Sequence, residues 1–196
     1  MKPAEQFTTF EQQEHAWRFG MWLFLASEIL LFAGLFALYA AYRVLHHHEF
    51  VAGISHNDLT IGTINTVLLI TSSFTVALAV EATRHDRTSR ATVLLAMTIL
   101  LGTLFLRLKA HEWATHFRHG IVPHRGPIFY TLYYFMTGLH ALHVAGGLVV
   151  LSWLSVRSAQ RRYSSAFHLP LELGGLYWHL VDAIWFFLWP LFYLTR

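Results

Sequence analysis

Tyr177-Trp178-His179-Leu180-Val181-Asp182-Ala183-Ile184-Trp185 sets an imidazole and a carboxylate inside an apolar run that extends from Leu173 to Leu194. Such a run is long enough for a bilayer, whose hydrocarbon core takes about 20 apolar residues of helix. An aspartate near the middle of a crossing helix costs about 2.5–3.5 kcal/mol on insertion scales, so it is read first as a functional-site candidate. His179 and Asp182 stand three residues apart, on one helix face, where they can share a proton or a hydrogen bond.

The whole chain agrees with a membrane setting. Of 196 residues, 55% are hydrophobic and 13% charged, against roughly 25% charged in a soluble domain. Cysteine is absent, which removes disulfides, thiolate metal sites and cysteine nucleophiles. A net charge of +3 without a basic tract gives no sign of a nucleic-acid partner. Five apolar segments are expected as crossings: Gly20 to Tyr42, Ile61 to Val80, Ala91 to Leu106 (continuing through Lys109, Glu112 and Trp113 into the interface), Pro127 to Val156, and Leu173 to Leu194. Lipid cannot satisfy an open backbone and the runs lack strand alternation, so an all-α integral membrane bundle of five transmembrane helices follows.

Residues 1–19 are polar, carrying Glu5, Gln6, Glu11, Gln12, Gln13 and Glu14. A signal peptide needs a short apolar core directly after a basic start, so this stretch reads as an extramembrane N-terminal segment. Residues 20–196 then form a single membrane domain. With five crossings, Lys2, Arg18, Arg84, Arg87, Arg90, Arg157, Arg161 and Arg162 share the N-terminal side. Arg43, Arg107, Lys109, Arg118, Arg125 and Arg196 lie on the other. The excess predicts a cytoplasmic N-terminus. Trp22, Tyr39, Tyr42, Trp113, Tyr130, Trp153 and Tyr193 fall at the expected helix ends as interfacial anchors.

Glu28 and Asp182 come out at matching depth. Each lies eight or nine residues into its run, roughly 12–14 Å from the N-terminal face, so the two could belong to one buried cluster. The helical neighbours of Glu28 are Phe24, Leu25, Leu31, Phe32 and Leu35, a setting that penalises charge. Two readings stand for it: a proton-handling acid, or a neutral acid that binds a neighbouring helix. Small residues recur every seven positions at Gly20, Ser27, Gly34 and Ala41, and again at Asn65, Ser72 and Ala79; Ala141, Ala145 and Ser152 line the fourth run. Packing inside the bundle is the expected use. His140 and His143 make an H-x-x-H pair, but two imidazoles fall short of the three or four ligands of a metal site. Buried, hydrogen-bonded histidines are the expectation, and His46-His47-His48 reads as a solvated loop.

Gly20-Met21-Trp22-Leu23-Phe24-Leu25-Ala26-Ser27-Glu28 with Phe32-Ala33-Gly34-Leu35-Phe36 resembles the glutamate-bearing helix of subunit III of haem–copper terminal oxidases. Asn65-Thr66-Val67-Leu68-Leu69-Ile70-Thr71-Ser72-Ser73 is similar to that family's next helix, and Phe105-Leu106 through Lys109 to Glu112-Trp113 to the segment after it. Thr137-Gly138-Leu139-His140-Ala141-Leu142-His143-Val144 and the opening stretch resemble its two most recognisable signatures. The likeness covers residues 16 to 195 in family order.

This resemblance implies a non-catalytic accessory subunit, with no catalytic residue and no metal of its own, of a respiratory oxidase that reduces O2 to water and pumps protons. Haem and copper are expected in the partner catalytic subunit I. The chain is expected to stabilise that subunit, to bind phospholipid between its helices and to help feed protons, in a bacterial inner membrane. Glu28, Asp182, His179, His140 and His143 map onto the family's buried polar groups. Glu112, Lys109, Trp113 and Trp178 are expected as interfacial polar or lipid-contacting residues. Lys109 stands where the family often has glutamine, and the chain matches a five-helix form without the first two of seven family helices. Two alternatives remain open: an accessory subunit of a nitric oxide reductase, and a stand-alone proton-coupled transporter, although no internal repeat of the transporter kind is visible.

Overall fold

The structure, a computed structural model, describes residues 6–123 and 126–195. Six helices form among them: α1 (Phe10–Leu45), α2 (His47–His56), α3 (Leu59–Arg84), α4 (Thr88–Arg118), α5 (Ile128–Ala159) and α6 (Leu169–Tyr193). The described residues form no strand beyond an isolated bridge between Ser164 and Phe167. Lys2, Arg125 and Arg196, which enter the charge count, lie outside the described residues.

Four helices, α1, α3, α4 and α5, are long and apolar enough to cross a membrane. α6 has 25 residues, roughly 37 Å at 1.5 Å per residue, which meets the length. It is not among those four, since Glu172, His179, Asp182 and two prolines interrupt its apolar surface. α2 corrects the expectation that His46-His47-His48 lies in a loop, since His47 and His48 open this helix. Phe50, Gly53 and Ile54 bury one face of it, while the Glu49 carboxylate accepts the free N–H of Ile128 at 3.2 Å and caps α5. α3 starts on Asp58, whose side chain accepts the N–H of Thr60 at 2.8 Å. α1 runs unbroken across residues 19 and 20.

α3, α4, α5 and α6 form a four-sided ring, each packed on two neighbours, with α1 outside against α5 and α6. Asn65, Ser72 and Ala79 are wholly buried, so the small-residue stripe of α3 packs inside as expected. The stripe of α1 does not. Gly20, Ser27, Gly34 and Ala41 are all exposed, and nothing lies within 4 Å of a Cβ built on Gly20 or Gly34. α1 instead turns Leu25, Phe32 and Tyr39 inward, because a peripheral helix reaches its neighbours with long side chains across a wider gap. Ser152 is likewise exposed, with Ala141 and Ala145 half-buried.

Trp178 fills the middle of the ring and is wholly buried. Gly102 of α4 and Gly147 of α5 make room for its indole: a Cβ at either would come within 2.7 Å and 2.8 Å of it. Its Nε1–H donates to Ser72 Oγ at 3.0 Å. One layer on, Trp185 Nε1–H donates to Thr66 Oγ1, also at 3.0 Å. Two indoles thus tie α6 to α3 while satisfying their own buried donors.

Candidate functional site

The polar groups singled out from sequence fall into separate sites. The first lies in the seam between α1 and α5. His143 Nε2 is 2.8 Å from Glu28 Oε2, and both side chains are 16% exposed. His143 Nδ1 lies 2.8 Å from the Leu139 carbonyl oxygen. A carbonyl only accepts, so Nδ1 carries a hydrogen. The Nε2–Oε2 contact therefore shares a single proton, as imidazolium with carboxylate or as neutral imidazole with carboxylic acid. Tyr177 of α6 donates to the His143 carbonyl at 3.0 Å, and Phe32 packs edge-on against the imidazole.

The second site joins α6 to α3. His179 Nδ1 lies 2.6 Å from Ser73 Oγ. Asp182 is 9% exposed, and both carboxylate oxygens are buried without a hydrogen-bond partner. His179 and Asp182 share a face but not a hydrogen bond, since the serine engages the imidazole. The expected cluster of Glu28 with Asp182 does not form: Glu28 turns to α5 and Asp182 to the α3 side. His140 and His143 diverge too. His140 is wholly buried, stacked on Trp185 with centroids 5.3 Å apart and edge-on to Phe105, and neither ring nitrogen has a partner. It is buried as expected but not hydrogen-bonded. Among the described residues no three His, Asp or Glu side chains converge for a metal.

The third site was not legible. Lys109 and Glu112, expected at the interface, are 1% and 2% exposed. The Lys109 ammonium donates to Glu112 Oε2 at 3.1 Å, Tyr133 Oη at 2.9 Å and Tyr193 Oη at 2.8 Å. Tyr193 O–H donates in turn to Glu112 Oε1 at 2.6 Å. All three ammonium hydrogens are satisfied, as a buried charge requires, and the knot binds α4 to α5 and α6. Trp178 is core rather than lipid-facing. Of the four expected interfacial residues only Trp113 is half-buried, near Tyr134. Tyr133, Tyr193, Ser73 and Tyr177 complete these sites. Their only sequence signal was an aromatic or hydroxyl placed in an apolar run.

A further pair of contacts fixes the N-terminal end of the bundle. Glu172 of α6 accepts both guanidinium nitrogens of Arg18 from α1, at 2.9 and 3.2 Å. At the opposite end Tyr39 O–H donates to the Leu191 carbonyl at 2.7 Å, and Arg43 holds the Thr195 carbonyl at 2.7 Å. α1 is thus pinned at both ends and bridged midway by Glu28.

Comparison with known proteins places this architecture. The family model described as cytochrome c oxidase subunit III matches residues 6–195. The chain is similar to cytochrome c oxidase subunit 3 of Thermostichus vulcanus, 35% identical over 179 residues, covering 90% of this chain and 87% of that protein. The subunit of the same name from Bacillus subtilis (strain 168) is 35% identical over 180 residues, 89% of this chain and 84% of that one. In Aeropyrum pernix the similarity, 32% over 190 residues, covers 91% of this chain but 22% of a longer protein named heme-copper oxidase subunit I+III. With that match running through all six helices, the chain belongs to the cytochrome c oxidase subunit III family.

Proposed function

We propose that the chain is the non-catalytic accessory subunit of a respiratory haem–copper oxidase. It crosses a bacterial inner membrane five times, α6 being the fifth crossing, with residues 1–19 on the cytoplasmic side. The uninterrupted family match over residues 6–195 carries this reading. The fused relative named for subunits I and III supports a direct contact with catalytic subunit I, where the haem and copper reside. In the bundle, Glu28 and His143 hold one exchangeable proton between them, and Asp182 offers a second acid at a similar depth. Both serve proton delivery to the partner during turnover.

Phospholipid is the second expected ligand. A groove of about 520 Å3 between α1, α5 and α6 is lined by Trp17, Met21, Phe24, Val150, Trp153 and Tyr177 among others. Its volume and apolar walls suit an acyl chain. At one end the Arg157 guanidinium stacks 5.0 Å from the Trp153 ring, a cation placed for a lipid phosphate.

Purification through a tag on this chain tests the assignment. An accessory oxidase subunit brings down a partner with a haem absorption spectrum and O2-reducing activity. Nitric oxide reduction in its place would assign the other partner class. A chain that purifies alone, stable and transport-competent, would overturn the reading.

A further inference from the structure

The bundle leaves one stripe of α6 uncovered. α1 and α3 both pack on α6 but not on each other. On one flank Phe187 meets Phe36 of α1, with ring centroids 6.2 Å apart. On the other, Ser73 of α3 meets His179. Leu176, His179, Ala183 and Phe186 follow at spacings of three and four, which set them on one face, and they floor the trough between α1 and α3. Ala183 and Phe186 are exposed, Leu176 and His179 half-buried. His179 is out of keeping with that surface. It stands ten residues past Leu169, the start of α6, roughly 15 Å along the helix and well within a hydrocarbon slab of about 30 Å. Its Nδ1 meets Ser73 Oγ at 2.6 Å. Its Nε2 has no partner among the described residues and is not shut in by protein, so it opens on the trough. Asp182 does not serve it, because both carboxylate oxygens are enclosed on the α3 side. Hydroxyls on other outward faces need no outside partner: Ser27, Thr63, Thr71 and Thr103 each donate to a carbonyl three or four residues back in their own helix, at 2.7 Å. For the second nitrogen of His179, lipid tails offer neither a donor nor an acceptor.

We propose that this trough seats a transmembrane helix of the catalytic subunit, and that the helix presents a hydroxyl or carboxamide side chain to His179 Nε2. The inference rests on the accessory-subunit reading above and names the surface through which the chain holds that partner. Helices in lipid associate by close packing and interhelical hydrogen bonds, without a hydrophobic drive. The trough supplies both. Ala183, one turn beyond His179, lets a second backbone approach α6 closely. Ser73 Oγ either gives or takes a hydrogen at Nδ1, so Nε2 faces outward as a lone pair or as an N–H. Hydroxyls and carboxamides both donate and accept, and they meet either tautomer without carrying a charge into the membrane. Among possible occupants, the catalytic subunit is favoured by the Aeropyrum pernix relative, a single chain named for subunits I and III together.

Photocrosslinking in the purified complex tests the placement. Phe186→p-benzoylphenylalanine sets a photoreactive ring in the trough, where Phe186 is 55% exposed. Leu142→p-benzoylphenylalanine sets one on the outer face of α5, where Leu142 is 70% exposed. After illumination, mass spectrometry is expected to find the haem-bearing subunit joined through residue 186, at a yield well above that through residue 142. Adducts of residue 186 with lipid alone, or equal yields from the two positions, overturn the placement. A haem-bearing partner that does not copurify at all removes the accessory-subunit reading itself, and this inference with it. The hydrogen bond is read from the rate at which that partner leaves the tagged chain in detergent. His179→Phe is expected to raise this rate roughly fivefold or more. His179→Gln, which keeps a donor and an acceptor, is expected to leave it near native, as is Ser73→Ala, which removes the internal bond but spares Nε2. Equal rates for His179→Phe and His179→Gln, or a loss as large in Ser73→Ala, overturn the bond. Should His179→Phe fail to accumulate in the membrane, the crosslink through residue 186 and the rate for Ser73→Ala still decide.

Discussion

Gly147→Ala is a small change with a calculable consequence. The new methyl would lie 2.8 Å from two carbons of Trp178 and 3.2 Å from Tyr177 Cε1, where carbon contacts are comfortable at about 3.5–4.0 Å. An overlap near 0.7 Å with a rigid indole, itself bounded by Gly102 on the far side, cannot be relieved by a rotamer change. α5 must move away from α6. Overpacking of this kind costs about 1–3 kcal/mol, while alanine in place of glycine returns up to about 1 kcal/mol of helix propensity. The net expectation is a loss of about 0–3 kcal/mol. In a Trp178→Leu background the indole obstruction is gone and only the 3.2 Å contact with Tyr177 opposes the propensity gain, so the same substitution becomes nearly neutral. Denaturant titration of the purified complex in the four combinations, followed by intrinsic fluorescence, gives the coupling directly. A coupling of about 1–3 kcal/mol between sites in contact is expected. Equal effects of Gly147→Ala in both backgrounds would refute the wedged-indole account.

Lys109→Met alone strands a buried carboxylate and is expected to destabilise by about 3–5 kcal/mol, whereas Lys109→Met/Glu112→Leu is expected to be near neutral in the same titration. Glu28→Gln, which keeps a hydrogen-bonding group for His143, is expected to assemble normally but to slow turnover, and more so with Asp182→Asn. Unchanged turnover in both and in the double variant would remove proton delivery from the proposal. At the α3–α4 turn, the Ser165 N–H donated to Asp86 at 2.7 Å holds that carboxyl below its ordinary 3.8. Its folded value being the lower one, its contribution is present above about pH 4 and is lost as pH falls through the folded value. Protection of the Ser165 amide, corrected for intrinsic exchange rates, should fall in acid, and in Asp86→Asn it should show no such pH dependence.

The large features of the fold were readable because lipid leaves few options. Long apolar runs become helices, and Asn65, Ser72 and Ala79, spaced at seven, end up wholly buried. Burial of His140 and Asp182 was readable for the same reason. What failed was rotation. Leu25, Phe32 and Tyr39 repeat at seven along α1 just as Gly20, Ser27, Gly34 and Ala41 do, but on another face, and the spacing does not say which stripe meets the bundle. α2 was missed because three successive histidines masked the Phe50–Ile54 spacing behind them. Lys109 and Glu112 were read as a wet helix end because charges normally are. Only the tertiary approach of Tyr133 and Tyr193, 24 and 84 residues away from Lys109, makes a dry site tolerable for them. The proton shared by Glu28 and His143 was beyond reach for a similar reason, since 115 residues separate the pair.

The ring of four helices is keyed together by aromatic plates seated in glycine notches: Trp178 against Gly102 and Gly147, Tyr193 against Gly62. Keyed helices cannot slide or swivel one past another to suit a thicker or thinner bilayer. α1 has no such notch, and its 36 residues make about 54 Å of rod against a hydrocarbon slab of about 30 Å. Adjustment to membrane thickness therefore falls to α1, and the proton shared by Glu28 and His143 sits on one of the seams that such movement would strain.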